Sequence, residues 1–180
     1  AATDPLTGLY NRRHFGRVLE QLFAETLRYG KDLSCVMIDL DGFKQLNDTL
    51  GHPTGDVILE RMARVLETNC RQMDVAGRFG GDEFIVLLPQ TDATSAEQVA
   101  RRISEQFAHV ARRELADTGV TVSMSIGIAT RREARPINSE HLIRCADQAL
   151  YQVKHEGKSG VRIYGPAPAR LTDAPENCAE

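Results

Sequence analysis

The chain has 180 residues, 42% hydrophobic and 26% charged, with a formal net charge of −3. That length suffices for one domain with a real core, and the balance is ordinary for a soluble globular protein. A weakly acidic chain carries no field for nucleic acid, and with no secretory signal and no apolar run of spanning length, no membrane contact by this chain is expected. Cys35, Cys70, Cys145 and Cys178 show neither CxxC pairing nor metal-ligand spacing, which fits reduced thiols in a cytoplasmic protein. The chain starts at Ala1 directly before a motif, as a fragment of a longer protein would, and a membrane-anchored parent is compatible with it.

Asp4 to Arg13 is a turn-rich opening. Phe15, Val18, Leu19, Leu22, Phe23 and Leu27 then recur at helical spacing as far as Gly30. Leu33 to Leu40 is nearly continuous apolar, as a strand buried on both faces requires. It ends in Asp39-Leu40-Asp41-Gly42-Phe43-Lys44. A carboxylate at position 39 interrupts the run and needs a cation or donors close by. Asp41 reads most simply as the cap of the next helix. That helix is short, ending at Gly51, and a longer one follows from Pro53 with Val57, Ile58, Met62, Val65 and Leu66 as its stripe. Arg71-Gln72-Met73-Asp74 leads into two strand-like runs around Gly80-Gly81. The pair is expected to form a two-residue hairpin turn with both glycines free to take positive φ.

Pro89 closes the second run. Ala93 to Ala116 is amphipathic, with Ala96, Val99, Ala100, Ile103, Phe107 and Val110 on one face. Val120 to Ile128 alternates with period two and is a strand. Ser139 is expected to cap a helix carrying Leu142, Ile143, Ala146, Ala149, Leu150 and Val153, which runs out at Gly157. Val161 to Tyr164 reads as a last short strand. From Gly165 to Glu180 the composition predicts a disordered tail, leaving residues 1–164 as the domain. Adjacent strands pair as a central hairpin and crossover helices cover one face of the sheet. The fold class is therefore α/β (α+β): a ferredoxin-like sandwich with a central, mostly antiparallel sheet and flanking helices.

Asp39 at a strand end and Asp82 and Glu83 at the hairpin can converge in such a sheet. Two or three hard oxygen ligands beside a glycine-lined opening suit Mg²⁺, which retains water and binds substrate phosphates. His or Cys clusters for a transition metal are missing from the pattern. Such a site implies phosphoryl or nucleotidyl transfer. Lys44, at the start of the short helix, stands where free N–H groups meet anions. Lys154 and Lys158 close the last long helix, where a solvated terminus is the plainer reading. Asn47 and Asp56 offer the donors and acceptors that a guanine edge needs, although surface and capping roles are commoner for these residue types.

These motifs together resemble the GGDEF family, the diguanylate cyclases. The resemblance rests on Arg78-Phe79-Gly80-Gly81-Asp82-Glu83-Phe84, Asp4-x-Leu6-Thr7-Gly8-Leu9-x-Asn11-Arg12-Arg13, Asp39-x-Asp41-x-Phe43-Lys44-x-x-Asn47-Asp48, Gly51-His52-x-x-Gly55-Asp56, Thr121-Val122-Ser123-x-Ser125-Ile126-Gly127 and Ala146-Asp147-x-Ala149-Leu150-Tyr151-x-x-Lys154-x-x-Gly157. It implies a nucleotide-cyclase-like fold and the condensation of two GTP into cyclic di-GMP with release of two pyrophosphates. Each subunit of a face-to-face homodimer would bind one GTP. The resemblance implies Asp39 and Asp82 as side-chain ligands and Leu40 as a carbonyl ligand for Mg²⁺, with Mn²⁺ as an alternative and a pair of ions at each half-site. Asp82 and Glu83 would be catalytic, with the choice of base between them open, and Lys44 would stabilise the transition state. Phe43, Lys44, Asn47, His52, Asp56, Lys154 and Lys158 would contact substrate. Arg71 and Asp74 match the family's inhibitory RxxD pattern for bound product, with Arg102 as a second cation.

Two positions depart from the family. Gly42 stands where His or an aromatic residue is frequent. Lys158 replaces a common Arg and lacks its bidentate fork. Weakened contacts are expected from both, not loss of activity. The runner-up expectation is a catalytically inactive domain that senses GTP or cyclic di-GMP, which retention of both Asp82 and Glu83 disfavours. A plain interaction module is a third, disfavoured by polar groups placed at strand ends and turns.

Overall fold

The longest strand, Leu33–Asp41, is the one on which the others assemble. A computed structural model describes residues 1–165, so the tail expected to be disordered lies outside the described residues except for Gly165. β2 (Leu33–Asp41) pairs antiparallel with β4 (Glu83–Pro89) on one side and with β5 (Ser123–Thr130) on the other. β3 (Val75–Arg78) pairs antiparallel with β4. The short β1 (Tyr10–Asn11) and β6 (Val161–Ile163) add parallel edges, giving the order β1-β3-β4-β2-β5-β6. The inner four strands are the expected antiparallel sandwich sheet.

Helices cover both faces of this sheet, not one as expected. α3 (His52–Asn69) and α4 (Ala93–Glu114) pack with α2 (Phe43–Leu50) against Val36, Ile38, Leu40, Val86 and Ile126. α1 (Arg12–Tyr29) and α6 (Ser139–His155) pack against Cys35, Met37, Ile85 and Leu87. The reason lies in β2. Its side chains alternate between the faces, and apolar residues on both must be removed from water.

Other boundaries shift for local reasons. β5 starts at Ser123, while Val120 and Val122 enter the core without belonging to the strand. The buried stripe of α1 steps from Phe23 to Thr26, which leaves Leu27 59% exposed. Asn138, rather than Ser139, caps α6 by accepting from the His141 N–H at 2.8 Å. A four-residue helix, α5 (Arg131–Ala134), follows β5 without having been expected. Among the described residues no helix is long and apolar enough to cross a membrane, and Cys35, Cys70 and Cys145 are free thiols.

One contact sets where α6 lies. A Cβ at Gly127 would stand 2.1 Å from the Ala146 carbonyl oxygen and 2.3 Å from the Leu150 nitrogen. The backbone of α6 therefore rests directly on β5. Backbone atoms cannot give way as a flexible side-chain end can, so Gly127→Ala is expected to destabilise the domain by about 3 kcal/mol or to displace α6. Urea unfolding of the variant checks this, and an unchanged midpoint would contradict the close approach.

Candidate active site

Strand register gathers the acids. Asp39 is paired with Glu83 of β4 and with Ser125 of β5, and the next residue, Leu40, donates its N–H to the Asp82 carbonyl at 3.2 Å. Asp39, Asp41 and Glu83 occupy alternate positions on the α6 side of the sheet. Lys154, in the last turn of α6, forms ion pairs with Asp39 Oδ1 and with Asp41 Oδ1, the latter at 3.2 Å. Burial pushes the Asp39 carboxyl above its usual range. Lys154 opposes that rise, and the neighbouring Asp82 and Asp41 add to it. Burial also raises Glu83, with Asp39, Asp82 and Asp147 contributing, while Arg12 opposes. Lys154 is lowered by burial, but Asp39 and Asp41 outweigh this and hold its ammonium above the ordinary value. The sequence-predicted acids are thus together, with one lysine among them.

The hairpin differs from expectation. β3 ends at Arg78 and β4 begins at Glu83, so the turn has four residues, and neither Gly80 nor Gly81 takes positive φ. Phe79 donates its N–H to the Glu83 carbonyl at 2.8 Å. The glycine that matters sterically is Gly80, where a Cβ would meet Glu83 Oε2 at 2.7 Å. Arg78 straps the turn. Its Nε donates to the Gly80 carbonyl at 3.0 Å, one Nη to the Gly81 carbonyl at 2.8 Å and the other to Asp4 Oδ1 at 3.1 Å. Asp4 also accepts from the Thr7 N–H and hydroxyl at 2.9 and 2.7 Å. Sequence reasoning missed this strap. Its signal was the pairing of an acid in the opening motif with the Arg before the glycines, and the contact between them spans most of the chain.

Cations and free donors surround the acids. Gly42 precedes α2 at φ 82 and provides no side-chain cap, so the first N–H groups of α2 stay available. Phe43 is only 8% exposed and packs in the core, so what it can offer a phosphate is its backbone N–H. Lys44 and Lys158 are exposed and have no ion pair among the described residues. Lys158 and Ser159 both sit at positive φ, 67 and 52. Asp41 does not cap α2, contrary to expectation. It lies buried at the end of β2, and its Oδ2 accepts from Ser125 Oγ at 2.7 Å and from the Ser159 N–H at 3.2 Å.

The base-recognition candidates cluster at the α2–α3 junction. A Cβ at Gly55 would fall 1.9 Å from Asn47 Oδ1, which puts the Asn47 amide against the residue before Asp56. Asn47 Oδ1 is buried with no hydrogen-bond partner among the described residues. His52 and Asp56 are exposed beside it.

The Arg71–Asp74 pair lies elsewhere, before β3. Arg71 Nη2 donates to Asp74 Oδ1 at 2.8 Å, to Thr91 Oγ1 at 2.8 Å and to the Pro89 carbonyl at 3.1 Å. The Asp74 side chain is 2% exposed and that of Arg71 53%, so the acid is enclosed and the guanidinium is presented. Arg102 donates from Nε to Asn69 Oδ1 at 2.7 Å. Burial pushes the Cys70 thiol up to about 12, Asp74 adds to the rise, and Arg102 and Arg71 both oppose it.

Four oxygen-bearing acids with one lysine fit a hard divalent cation better than a thiol- or imidazole-seeking one. Among the described residues no three His, Cys, Asp or Glu side chains are placed to hold an ion by themselves. A cation here would take two carboxylates and a carbonyl and draw its remaining ligands from water and a phosphate-bearing substrate. The fold and site together are those of an α/β sandwich with an acidic cluster, paired to one lysine, at one end of its central sheet.

Comparison with known proteins places that class. A family profile described as "Diguanylate cyclase, GGDEF domain" matches residues 1–160. The response regulator PleD of Caulobacter vibrioides is 38% identical, over 89% of this chain and 36% of that protein. The probable diguanylate cyclase DgcC of Escherichia coli is 36% identical, over 89% of this chain and 42% of that protein. The crystal structure of the GGDEF domain of DgcB from Caulobacter crescentus in complex with c-di-GMP superposes with a TM-score of 0.82 at 31% identity, covering 91% of this chain and 96% of that one. The chain belongs to the GGDEF family. It spans only about two fifths or less of the curated relatives it matches.

The Asp4–Arg78 strap has a pH signature. Burial alone would raise Asp4, but the bonds from Thr7 and Arg78 prevail and hold its carboxyl below the ordinary 3.8. A depressed carboxyl stabilises the fold above its unfolded pKa and loses that contribution as pH falls through the folded value. Asp4→Asn is therefore expected to unfold more easily than the parent at pH 7, with the gap closing below about pH 4. Parallel urea titrations stepped from pH 7 down through the depressed folded value test it, and a gap that persisted below that value would remove the charge from the explanation.

Proposed function

We propose that the chain condenses two GTP molecules into cyclic di-GMP, releasing two pyrophosphates. The observation that carries this reading is the convergence of Asp39, Asp82 and Glu83 at one sheet end, beside free cationic groups, within a GGDEF family domain. Asp39, the Leu40 carbonyl and Asp82 would hold Mg²⁺ or Mn²⁺, a pair of ions per half-site. Bound there, such ions would supply charge neutralisation and a lowered pKa for the attacking hydroxyl.

The remaining work falls to this chain's residues. Asn47 and Asp56 hold the guanine edge with His52 beside them, and the unpartnered Asn47 Oδ1 supports that role. Lys44, Lys154, Lys158 and the Phe43 N–H bind the phosphates. The 3′-hydroxyl of one GTP attacks the α-phosphorus of the other. The new P–O bond forms as the bond to the β-phosphate oxygen breaks, pyrophosphate leaves, and the hydroxyl proton passes to the Asp82–Glu83 pair. One chain offers one set of nucleotide contacts, so two copies face each other for turnover.

Asp82→Asn is expected to abolish cyclic di-GMP formation, by at least about 100-fold, with the fold intact by circular dichroism. The parent's specific activity should rise with protein concentration as dimers form. Chromatographic detection of product from GTP and Mg²⁺ measures both, and a folded D82N variant turning over at the parental rate would refute the assignment.

We also assign Arg71, Asp74 and Arg102 to product binding. Arg71 presents a guanidinium anchored by an enclosed acid, suited to gripping a phosphate and stacking on a guanine. Cyclic di-GMP is expected to inhibit non-competitively. Arg71→Ala should raise the inhibitory concentration about tenfold or more while leaving initial rates near those of the parent. Equal product sensitivity in the variant would reduce the pair to a structural ion pair.

A further inference from the structure

The Asp41 carboxylate has two oxygens with two different tasks. Oδ2 accepts from Ser125 Oγ at 2.7 Å, from the Ser159 N–H at 3.2 Å and, more weakly, from Ser123 Oγ at 3.5 Å. Ser159 belongs to the Gly157-Lys158-Ser159 turn, whose three residues all have positive φ, at 114, 67 and 52. For Lys and Ser such backbone is unfavourable and persists only where the surroundings over-determine it. A charge-assisted bond from a buried carboxylate to the Ser159 N–H is such a determinant. Oδ1 has no hydrogen-bond partner, and the nearest cation is Lys154 Nζ at 3.2 Å. Lys154 meanwhile forms its tighter pair with Asp39.

We infer that Asp41 is a positioning residue that holds Lys154 and the Lys158 turn as one cationic lip over the phosphate site. An ammonium has three donors. Lys154 shares itself between Asp39 and Asp41. When Asp39 turns to a cation, Asp41 Oδ1 becomes the anchor that keeps Lys154 in place, with its other donors facing the phosphates. Through Oδ2 the same carboxylate fixes the turn that carries Lys158. This inference rests on the nucleotide-binding reading above.

Asp41→Asn separates the two tasks. The amide oxygen still accepts from Ser125 and Ser159, while the charge beside Lys154 is lost. The probe is 3′-deoxy-GTP with Mg²⁺, which lacks the attacking hydroxyl, so its binding by calorimetry is free of turnover. Asp41→Asn, while it stays folded by circular dichroism, is expected to weaken binding roughly tenfold or more. On a Lys154→Met background the same change should weaken it no further, because both act through one ammonium. Ser125→Ala, which loosens the carboxylate without altering its charge, should cost a smaller loss of roughly threefold and gives a second reading if Asp41→Asn does not fold. Parental affinity in folded Asp41→Asn, or in Ser125→Ala if that variant alone folds, would overturn the positioning role. Fully additive losses with Lys154→Met would overturn its route through Lys154. Absence of binding by the unaltered chain would overturn the nucleotide reading itself, and this inference with it.

Discussion

Four carboxylates crowd one end of the sheet, and the rest of the site is arranged around their mutual repulsion. Asp39, Asp41, Asp82 and Glu83 are brought there by strand register, so they cannot move apart without breaking the ladder. Charges removed from water are costly unless paired. Lys154 is the pairing cation, and it reaches the acids because α6 lies flush on β5. A side chain at Gly127 would lift the helix and carry the ammonium away. The dependence therefore runs from a missing Cβ, to a helix position, to a lysine, to the protonation balance of Asp39. A site left short of positive charge is poorly optimised for stability, as functional sites often are.

Much of this was readable in the residues, and the division between what was and was not is physical. The helices of α3, α4 and α6 follow from periodicity, which is a local property. Asp39 could be singled out because a carboxylate in a continuous apolar run has no cheap explanation. Asp41 could not, because an acid before a helix has a cheap one, and only its place in the β2–β5 ladder, opposite Ser123, brings its side chain to Ser125. The Gly80-Gly81 pair invited a tight turn. What it forms is a longer loop whose carbonyls are gathered by Arg78, and the acid that completes the strap stands 74 residues earlier. Placement of helices on both faces was equally hidden, since an apolar strand states that both sides are covered but not by what. Local pattern fixes element type, whereas register, face and strap arise from contacts distant in sequence.

The two candidate sites sit at opposite ends of one element. Arg71 and Asp74 precede β3, and Arg71, paired to Asp74, donates to the Pro89 carbonyl and to Thr91 Oγ1 where β4 finishes. Asp82 and Glu83 lie where β3 gives way to β4. β3 has four residues, so about 13 Å of paired strand separates the sites. A ligand on Arg71 could not touch a nucleotide held by the acids. Coupling through the hairpin would require paired strands to shear, and this hairpin is pinned at both ends: by Arg78 to Asp4 at the acidic end and by Arg71 to the close of β4 at the other. A packed, pinned element of this kind is a poor lever. Were the reaction shared between two copies, as proposed above, anything that held the copies with their acids apart would stop turnover without deforming either. On this argument a product that recognises Arg71 would act on the encounter between domains and leave the site within each domain as it stands.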